Sequence, residues 1–335
     1  MSVLLAYMML IGPWNFQQLA EGDILYSELG TSTWGQADRT IEYTYDENGS
    51  VITKTTEVTS TEDVVETVTN TYNLANRLET VTTAYDDTVE VTEYTYNNDG
   101  IRVKAEFTRT INSVTDQQRT TTYLIDPYNH TGFTQTLEEE TTTTDYDGGV
   151  PQTPVVQLTT YTIGDDVIAQ RVDGTTQYLL YDGHGSTRQL AQYDTAVTIA
   201  DSYSYDGYGV MLSDSSTSGA GAAANADTKM LYAGEQYDSS ASMYYNRSRW
   251  YNPATGTFNR MDPFAGNNRD PQSLHKYLYT HCNPINGIDP SGKSLITNVT
   301  VTMAITAILF SANIANAPRP GDTTCEDASA LSHII

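Results

Sequence analysis

Residues 94–102 give the first indication of the fold, and they read Tyr94-Thr95-Tyr96-Asn97-Asn98-Asp99-Gly100-Ile101-Arg102. The alternation of tyrosine and threonine has the two-residue period of a β-strand whose two faces differ. The polar segment that follows supplies residues that tolerate positive φ and form tight turns. The phrase therefore predicts a strand, a turn and a second strand, which together make one β-hairpin.

Variants of this phrase recur along the chain, around Tyr45, Tyr72, Tyr181 and Tyr205. Tyr45, Tyr72 and Tyr96 are 27 and 24 residues apart, and Tyr181 and Tyr205 are 24 apart. A single hairpin is only marginally stable in water, so repeated hairpins must pack side by side to bury their apolar faces. The use of 25 Tyr against 6 Phe, with frequent Thr and Val, also favours strands. The sequence predicts an all-β fold, an array of antiparallel β-hairpins with little helix.

The recurring phrase resembles the YD repeats of Rhs proteins, teneurins and the C subunits of insecticidal toxin complexes. Three longer stretches share this resemblance, at residues 123–127, 132–135 and 178–188. The family implies a spiral of β-strands wound into a hollow shell, so the array would be a fragment of such a shell. The resemblance covers roughly residues 41–292.

The overall charge limits the classes of molecule that the chain is expected to bind. The chain carries 42 acidic and 17 basic side chains, a net charge of -25, so it repels nucleic acid and no nucleic-acid partner is expected. An acidic, threonine-rich surface suits an exported protein, and we expect an extracellular or cell-surface location. The apolar first twenty residues lack the positive charge of a secretory signal, since the first basic residue is Arg39. Residues 1–40 are therefore expected to be part of a longer natural protein.

The sequence changes character after residue 230 and resembles the Rhs repeat-associated core domain. The resemblance rests on residues 232–238, 244–258 and 273–279, and on the phrases Met261-Asp262-Pro263-Phe264 and Asp289-Pro290-Ser291-Gly292. The family implies an intramolecular aspartic protease that cuts the chain a few residues after its Asp-Pro-x-Gly motif. The severed C-terminal piece would stay inside the shell. Asp262 and Asp289 match the family's catalytic aspartates.

Such chemistry requires two carboxylates that share a proton, one acting on a water and the other on the scissile carbonyl. Asp262 and Asp289 are 27 residues apart, which allows two turns to converge. The family often has an arginine where Thr257 stands, and Arg260 is expected to replace it as the cation beside Asp262. Lys293 stands where an apolar residue is common. Asp-Pro-x-Gly is also a favourable type I turn, so a purely structural role remains an alternative.

Composition divides the chain into five expected units. They are an N-terminal segment (1–40), a repeat array (41–212), a flexible linker (213–228), the core domain (229–292) and an apolar tail (293–335). Within the array, Glu138-Glu139-Glu140 and the threonines after it suggest a solvated acidic loop. The tail is uncharged over residues 294–318, which is compatible with a membrane contact over 295–314 or with a buried strand.

Other kinds of site receive little support. Asp182, His184 and Ser186 share one turn, whereas the members of a catalytic triad converge from separate elements. Two histidines and Cys282 lack further ligands that would complete a metal site. We therefore expect no metal and no cofactor.

Two functions follow as hypotheses. In the first, the chain is the C-terminal module of an exported Rhs/YD-repeat protein that encapsulates its own C-terminal tail. It would release the tail by a single-turnover aspartic cleavage after Asp-Pro-Ser-Gly. In the alternative, the chain is a non-cleaving structural or adhesive surface protein that binds carbohydrate or another cell surface. Metabolic activity is expected in neither case.

Overall fold

The computed structural model describes residues 39–59, 61, 63–129, 131–213, 223, 226–293 and 296–297. Within this part of the chain, fourteen strands form one antiparallel sheet whose order follows the sequence, except that short β9 pairs only with β8. The predicted all-β array is thereby confirmed. The strands are β1 (Arg39–Tyr45), β2 (Val51–Val58), β3 (Asp63–Tyr72), β4 (Leu78–Tyr85), β5 (Thr88–Tyr96), β6 (Arg102–Ile111), β7 (Val114–Asp126), β8 (Gln135–Asp147), β9 (Val150–Pro151), β10 (Val155–Ile163), β11 (Val167–Val172), β12 (Thr175–Tyr181), β13 (Thr187–Tyr193) and β14 (Val197–Ser202).

The recurring phrase forms the same turn each time. The Asp or Asn after the last Tyr accepts backbone N–H groups from the residues two and four positions later through its side-chain oxygen, which closes an Asx turn. These residues are Asp46, Asn73, Asn97, Asp182 and Asp206. The residue three positions later has positive φ in all five turns, and it is Gly49, Asn76, Gly100, Gly185 or Gly209.

The tyrosine of the phrase connects one repeat to the preceding one. The hydroxyl groups of Tyr72, Tyr96 and Tyr205 donate to the carbonyl oxygens of Val51, Leu78 and Thr187 at 2.9, 2.6 and 2.9 Å. In all three pairs the acceptor lies five residues after the turn Asp or Asn of the preceding repeat. The repeat is therefore a hairpin together with a hydrogen bond to its neighbour.

The C-terminal part packs against the turns of the large sheet. It contains β15 (Ser204–Tyr205), β16 (Met211–Ser213), a second sheet of β17 (Gln236–Asp238), β18 (Met243–Asn246), β19 (Arg249–Asn252) and β20 (Thr257–Phe258), and the pair β21 (Gly287–Ile288) and β22 (Ile296–Thr297). Tyr245 and Trp250 of the second sheet pack with Leu78, Val81 and Tyr94 of the large one. A larger cluster joins Leu179 and Leu190 to aromatic residues of the C-terminal part. These contacts fix the C-terminal part on the array.

A solvated acidic loop at Glu138–Glu140 was the wrong expectation, because these residues lie within β8. Glu139 faces the interior and is 2% exposed. Its carboxylate accepts hydrogen bonds from Tyr161 (2.9 Å), Lys229 and Gln236. A buried carboxylate is stable only with such partners, and two of the three come from distant parts of the sequence.

The helical content of the described residues is the single residue Ala223 and three short 3₁₀ turns, at Tyr232–Gly234, Pro271–Leu274 and Thr280–Cys282. In that part of the chain no helix has the length and apolar character of a membrane span. Nearly all of the predicted N-terminal segment, most of the predicted linker and nearly all of the 295–314 segment lie outside the described residues.

Candidate active site

The two predicted aspartates lie in turns that follow short strands of the C-terminal part. Asp262 comes after β20, where its Oδ1 accepts the backbone N–H of Phe264 at 2.8 Å. Asp289 comes directly after β21, where its Oδ1 accepts the hydroxyl of Ser291 at 2.9 Å and the N–H of Lys293 at 3.2 Å. Each aspartate thus orders its own turn with its Oδ1, and its Oδ2 lies near Arg249.

Arg249 of β19 brings the two turns together. Its Nη2 lies 2.8 Å from Oδ2 of Asp262 and 3.6 Å from Oδ2 of Asp289. Its Nε donates to the carbonyl oxygen of Gly292 at 2.6 Å. The guanidinium stacks on the ring of Phe258, with 3.7 Å from its central carbon to the ring centroid. One cation therefore contacts both aspartates and the last residue of the Asp-Pro-Ser-Gly motif.

The environment of this cation is nearly dry. The side chain of Arg249 is 2% exposed, and those of Asp262 and Asp289 are 18% and 4% exposed. Burial lowers the pKa of Arg249, and the two neighbouring carboxylates oppose this shift. In such surroundings charges are screened little by water, so the three groups depend on one another.

Gly292 closes the second turn against β18 and β19. Its φ is +63°, and a Cβ placed there would lie 2.5 Å from the carbonyl oxygen of Asn246 and 2.8 Å from the backbone nitrogen of Arg249. The side-chain amide of Asn246 also donates to the carbonyl oxygen of Asp289 at 2.6 Å. The turn is thus held on both sides, and its last position has space only for glycine.

Arg260, the cation predicted beside Asp262, is largely buried and donates through Nη2 to the carbonyl oxygen of Ser248 at 2.6 Å. Burial lowers the pKa of Arg260. Asp262 forms an ion pair with Arg249, a residue that was not among the predicted site residues. Its only signal in the sequence is an arginine within an otherwise aromatic strand, Arg249-Trp250-Tyr251.

The less favoured candidates behave as structural residues. Asp182 accepts backbone N–H groups in its turn and pairs with Arg188 at 2.6 Å, while Ser186 accepts the N–H of Ala233. The ring nitrogen of His184 lies 3.2 Å from the carbonyl oxygen of Gly287. In the part of the chain that the structure describes, no three His, Cys, Asp or Glu side chains form a metal-binding group.

Comparison with known proteins finds similar stretches in much longer proteins. No family model matches. The tRNA3(Ser)-specific nuclease WapA of Bacillus spizizenii and the tRNA nuclease WapA of Bacillus subtilis are each 28% identical over 75% of this chain. The chain spans 11% of the length of these relatives.

A solved structure supports the same relationship at the level of the fold. The crystal structure of TcdB2-TccC3-Cdc42 matches with a TM-score of 0.52 at 18% identity, over 81% of this chain and 14% of that chain. The sequence and fold similarities together support relatedness to the Rhs/YD-repeat shell proteins.

Proposed function

We propose that this chain is the C-terminal module of an exported Rhs/YD-repeat shell protein that severs its own tail. The tail begins after Gly292, and cleavage is an intramolecular aspartic proteolysis by Asp262 and Asp289. The partner of the module is its own tail, which stays inside the shell after it is cut from the core domain. The proposed location is extracellular or at the cell surface.

The observation that carries this proposal is the convergence of three groups on Arg249. Two aspartates from separate turns and the carbonyl oxygen of Gly292 all contact its guanidinium. The chain that follows Gly292 therefore leaves the motif directly beside the carboxylate pair. An aspartic self-cleavage requires two carboxylates close to the scissile bond, and Asp262 and Asp289 lie beside the turn that ends at Gly292.

The chemistry adds one water across a peptide bond. The ionised member of the pair takes a proton from the water as the water oxygen attacks the scissile carbonyl carbon. The protonated member donates its proton toward the carbonyl oxygen, so that a neutral tetrahedral intermediate forms. Its collapse breaks the C–N bond: the carboxyl group that took the water proton passes it to the leaving nitrogen, and the other carboxylate takes back the proton of one diol hydroxyl. The products are a new carboxyl terminus on the shell side and a new amino terminus on the tail.

Arg249 supports this reaction without entering it. Its guanidinium contacts both carboxylates and so holds the two turns in one place. Its bond to the Gly292 carbonyl fixes the chain just before the proposed cut. Nuclease activity, which is in the names of the WapA relatives, is not part of the proposal, because the chain spans so little of their length.

One observation favours the alternative, a non-cleaving structural protein. Both Asp289 contacts through Oδ1 lie within its own turn, as in an ordinary Asp-Pro-Ser-Gly type I turn. In that case the Arg249 cluster would only clamp two turns together. Contact with carbohydrate, another cell surface or a membrane through residues 295–314 also remains a prediction.

Substitution of the pair separates these functions. Asp262→Asn and Asp289→Asn should each abolish cleavage while the circular dichroism spectrum stays unchanged, since Asn keeps the shape but cannot share a proton. Asp270→Asn is the matched control, because Asp270 also precedes a proline in this part of the chain but has no ion pair with Arg249. It should cleave at the unsubstituted rate.

Cleavage is followed by intact-mass spectrometry at neutral pH, which also locates the bond. A cut between Asp289 and Pro290 would be ordinary acid hydrolysis of an Asp-Pro bond and not the proposed reaction. Cleavage that continues in both Asn variants would contradict the aspartic mechanism. An unsubstituted chain that stays intact would favour the structural alternative.

A further inference from the structure

Arg247, at the turn between β18 and β19, contacts three separate parts of the molecule. Its Nε donates to the carbonyl oxygen of Thr134, in the loop between β7 and β8, at 2.8 Å. Its Nη1 donates to the carbonyl oxygen of Pro290, in the Asp-Pro-Ser-Gly turn, at 2.5 Å. The same nitrogen lies 2.9 and 2.8 Å from the two carboxylate oxygens of Glu235. One side chain thus joins the hairpin array, the proposed cleavage turn and a buried acid.

Glu235 is the charged anchor of this arrangement. The side chains of Glu235 and Arg247 are 8% and 13% exposed. Burial raises the pKa of Glu235 to about 7, and Arg247 opposes the shift. Asp166, from the turn between β10 and β11, and Asp289 also face Glu235 and raise its pKa further. Near neutral pH the strength of the Glu235–Arg247 pair therefore depends on pH.

The loop between β7 and β8 is folded so that the carbonyl group of Thr134 meets Arg247. The side-chain amide of Asn129 donates to the carbonyl oxygens of Asp126 at 2.8 Å and Phe133 at 2.9 Å, which folds the loop on itself. The ring of Phe133 lies 5.6 Å from the central guanidinium carbon of Arg247. The phrase Gly132-Phe133-Thr134-Gln135 resembles the shell family, but the sequence alone assigns it no role. Phe133 and Thr134 of this phrase both contact Arg247.

The backbone of Arg247 supports a role for its side chain. Its φ is +57°, a left-handed conformation that is strained for a residue other than glycine. Glycine or asparagine would fit this turn at lower cost. An arginine at a position of this kind indicates that the side chain has a function there.

We propose that Arg247 is a positioning residue that couples self-cleavage to the assembly of the shell, with Glu235 as its anchor. This inference rests on the proposed self-cleavage. Asn246 and Arg249 already hold the cleavage turn, and because Arg247 holds Thr134 and Pro290 at the same time, the turn is fully fixed only when the loop between β7 and β8 has also docked. The tail is then severed only after the surrounding hairpins are in place.

Cleavage rates test the coupling directly. Arg247→Met should slow cleavage about tenfold or more, the effect of losing at least one hydrogen bond from a charged group. Arg247→Lys should retain part of the rate, because a single ammonium keeps the charge but cannot hold both carbonyl oxygens. Arg171→Met, at an exposed arginine whose side chain donates to the carbonyl oxygen of Gly174, is the matched control and should cleave normally.

A pH profile separates positioning from a general loss of stability. As pH falls through about 7, Glu235 takes up a proton and its hold on Arg247 weakens, so the cleavage rate of the unsubstituted chain should fall there. Glu235→Gln keeps an acceptor oxygen but cannot titrate, and this step in the profile should be lost. An unchanged profile in Glu235→Gln would refute the anchoring role.

Hydrogen exchange gives a readout that does not depend on cleavage. In a chain kept uncut by Asp262→Asn, Arg247→Met should speed amide exchange about tenfold at Gly292 and Lys293 in the turn and at Thr131 in the loop. Normal exchange at either place, or normal cleavage in Arg247→Met, would overturn the coupling. If the unsubstituted chain never cleaves, the proposed function fails, whereas the exchange experiment still decides whether Arg247 links the two segments.

Discussion

At the scale of the residue, the candidate site depends on the guanidinium of Arg249 and on the absence of a side chain at Gly292. Arg249 gathers Asp262, Asp289 and the Gly292 carbonyl oxygen, and Gly292 leaves space for the backbone of β18 and β19. Both aspartates could be proposed from the sequence because their motifs are local and specific. The importance of Arg249 could not, since it arises from contacts across 13 and 40 residues of sequence and from burial.

Gly292→Ala tests the space at the turn. Alanine there meets the strain of positive φ and also two backbone atoms that cannot move aside, so we expect a loss of about 2 kcal/mol or more in unfolding free energy. Gly132→Ala is the matched control, because its φ is +79° but no atom lies within 4 Å of the added Cβ. Chemical denaturation of both variants, in an uncut Asp262→Asn background, measures the difference. Equal losses in the two variants would show that the turn is not tightly packed.

At the scale of the element, the repeat is explained by two kinds of hydrogen bond. The Asp or Asn closes the turn, and the Tyr hydroxyl binds the backbone of the preceding hairpin. The strand period and the turn residues were readable from the sequence because both are local. The position of Glu139 was misread for the opposite reason, because Lys229 and Gln236, two of the groups that stabilise it in the interior, lie 90 and 97 residues away.

Tyr96→Phe tests the connection between repeats. The hydroxyl of Tyr96 donates to the carbonyl oxygen of Leu78 at 2.6 Å and lies 3.3 Å from the indole nitrogen of Trp250. Its removal leaves buried groups without a partner, so we expect the free energy of unfolding to fall by about 1–3 kcal/mol. Tyr128→Phe, at a tyrosine that is 93% exposed, should change it little. A similar effect of both substitutions on the denaturation midpoint would contradict the connecting role.

At the scale of the whole molecule, the array and the C-terminal part form one structure. Arg102 of β6 pairs with Asp238 of β17 at 2.9 Å, and Arg247 reaches the loop before β8. The aromatic cores of the two sheets are shared. The all-β architecture followed from repeat spacing, whereas this docking followed only from the structure, because it depends on side chains far apart in sequence.

Self-cleavage after the Asp-Pro-Ser-Gly motif can be tested by measuring the intact mass of the freshly purified protein at neutral pH. We expect two species that meet at a bond after Gly292, with masses that add up to the chain plus one water. The two species should elute together on size exclusion, since the tail stays with the shell. A single species with the mass of the uncut chain, unchanged after prolonged incubation, would show that the chain does not cleave itself.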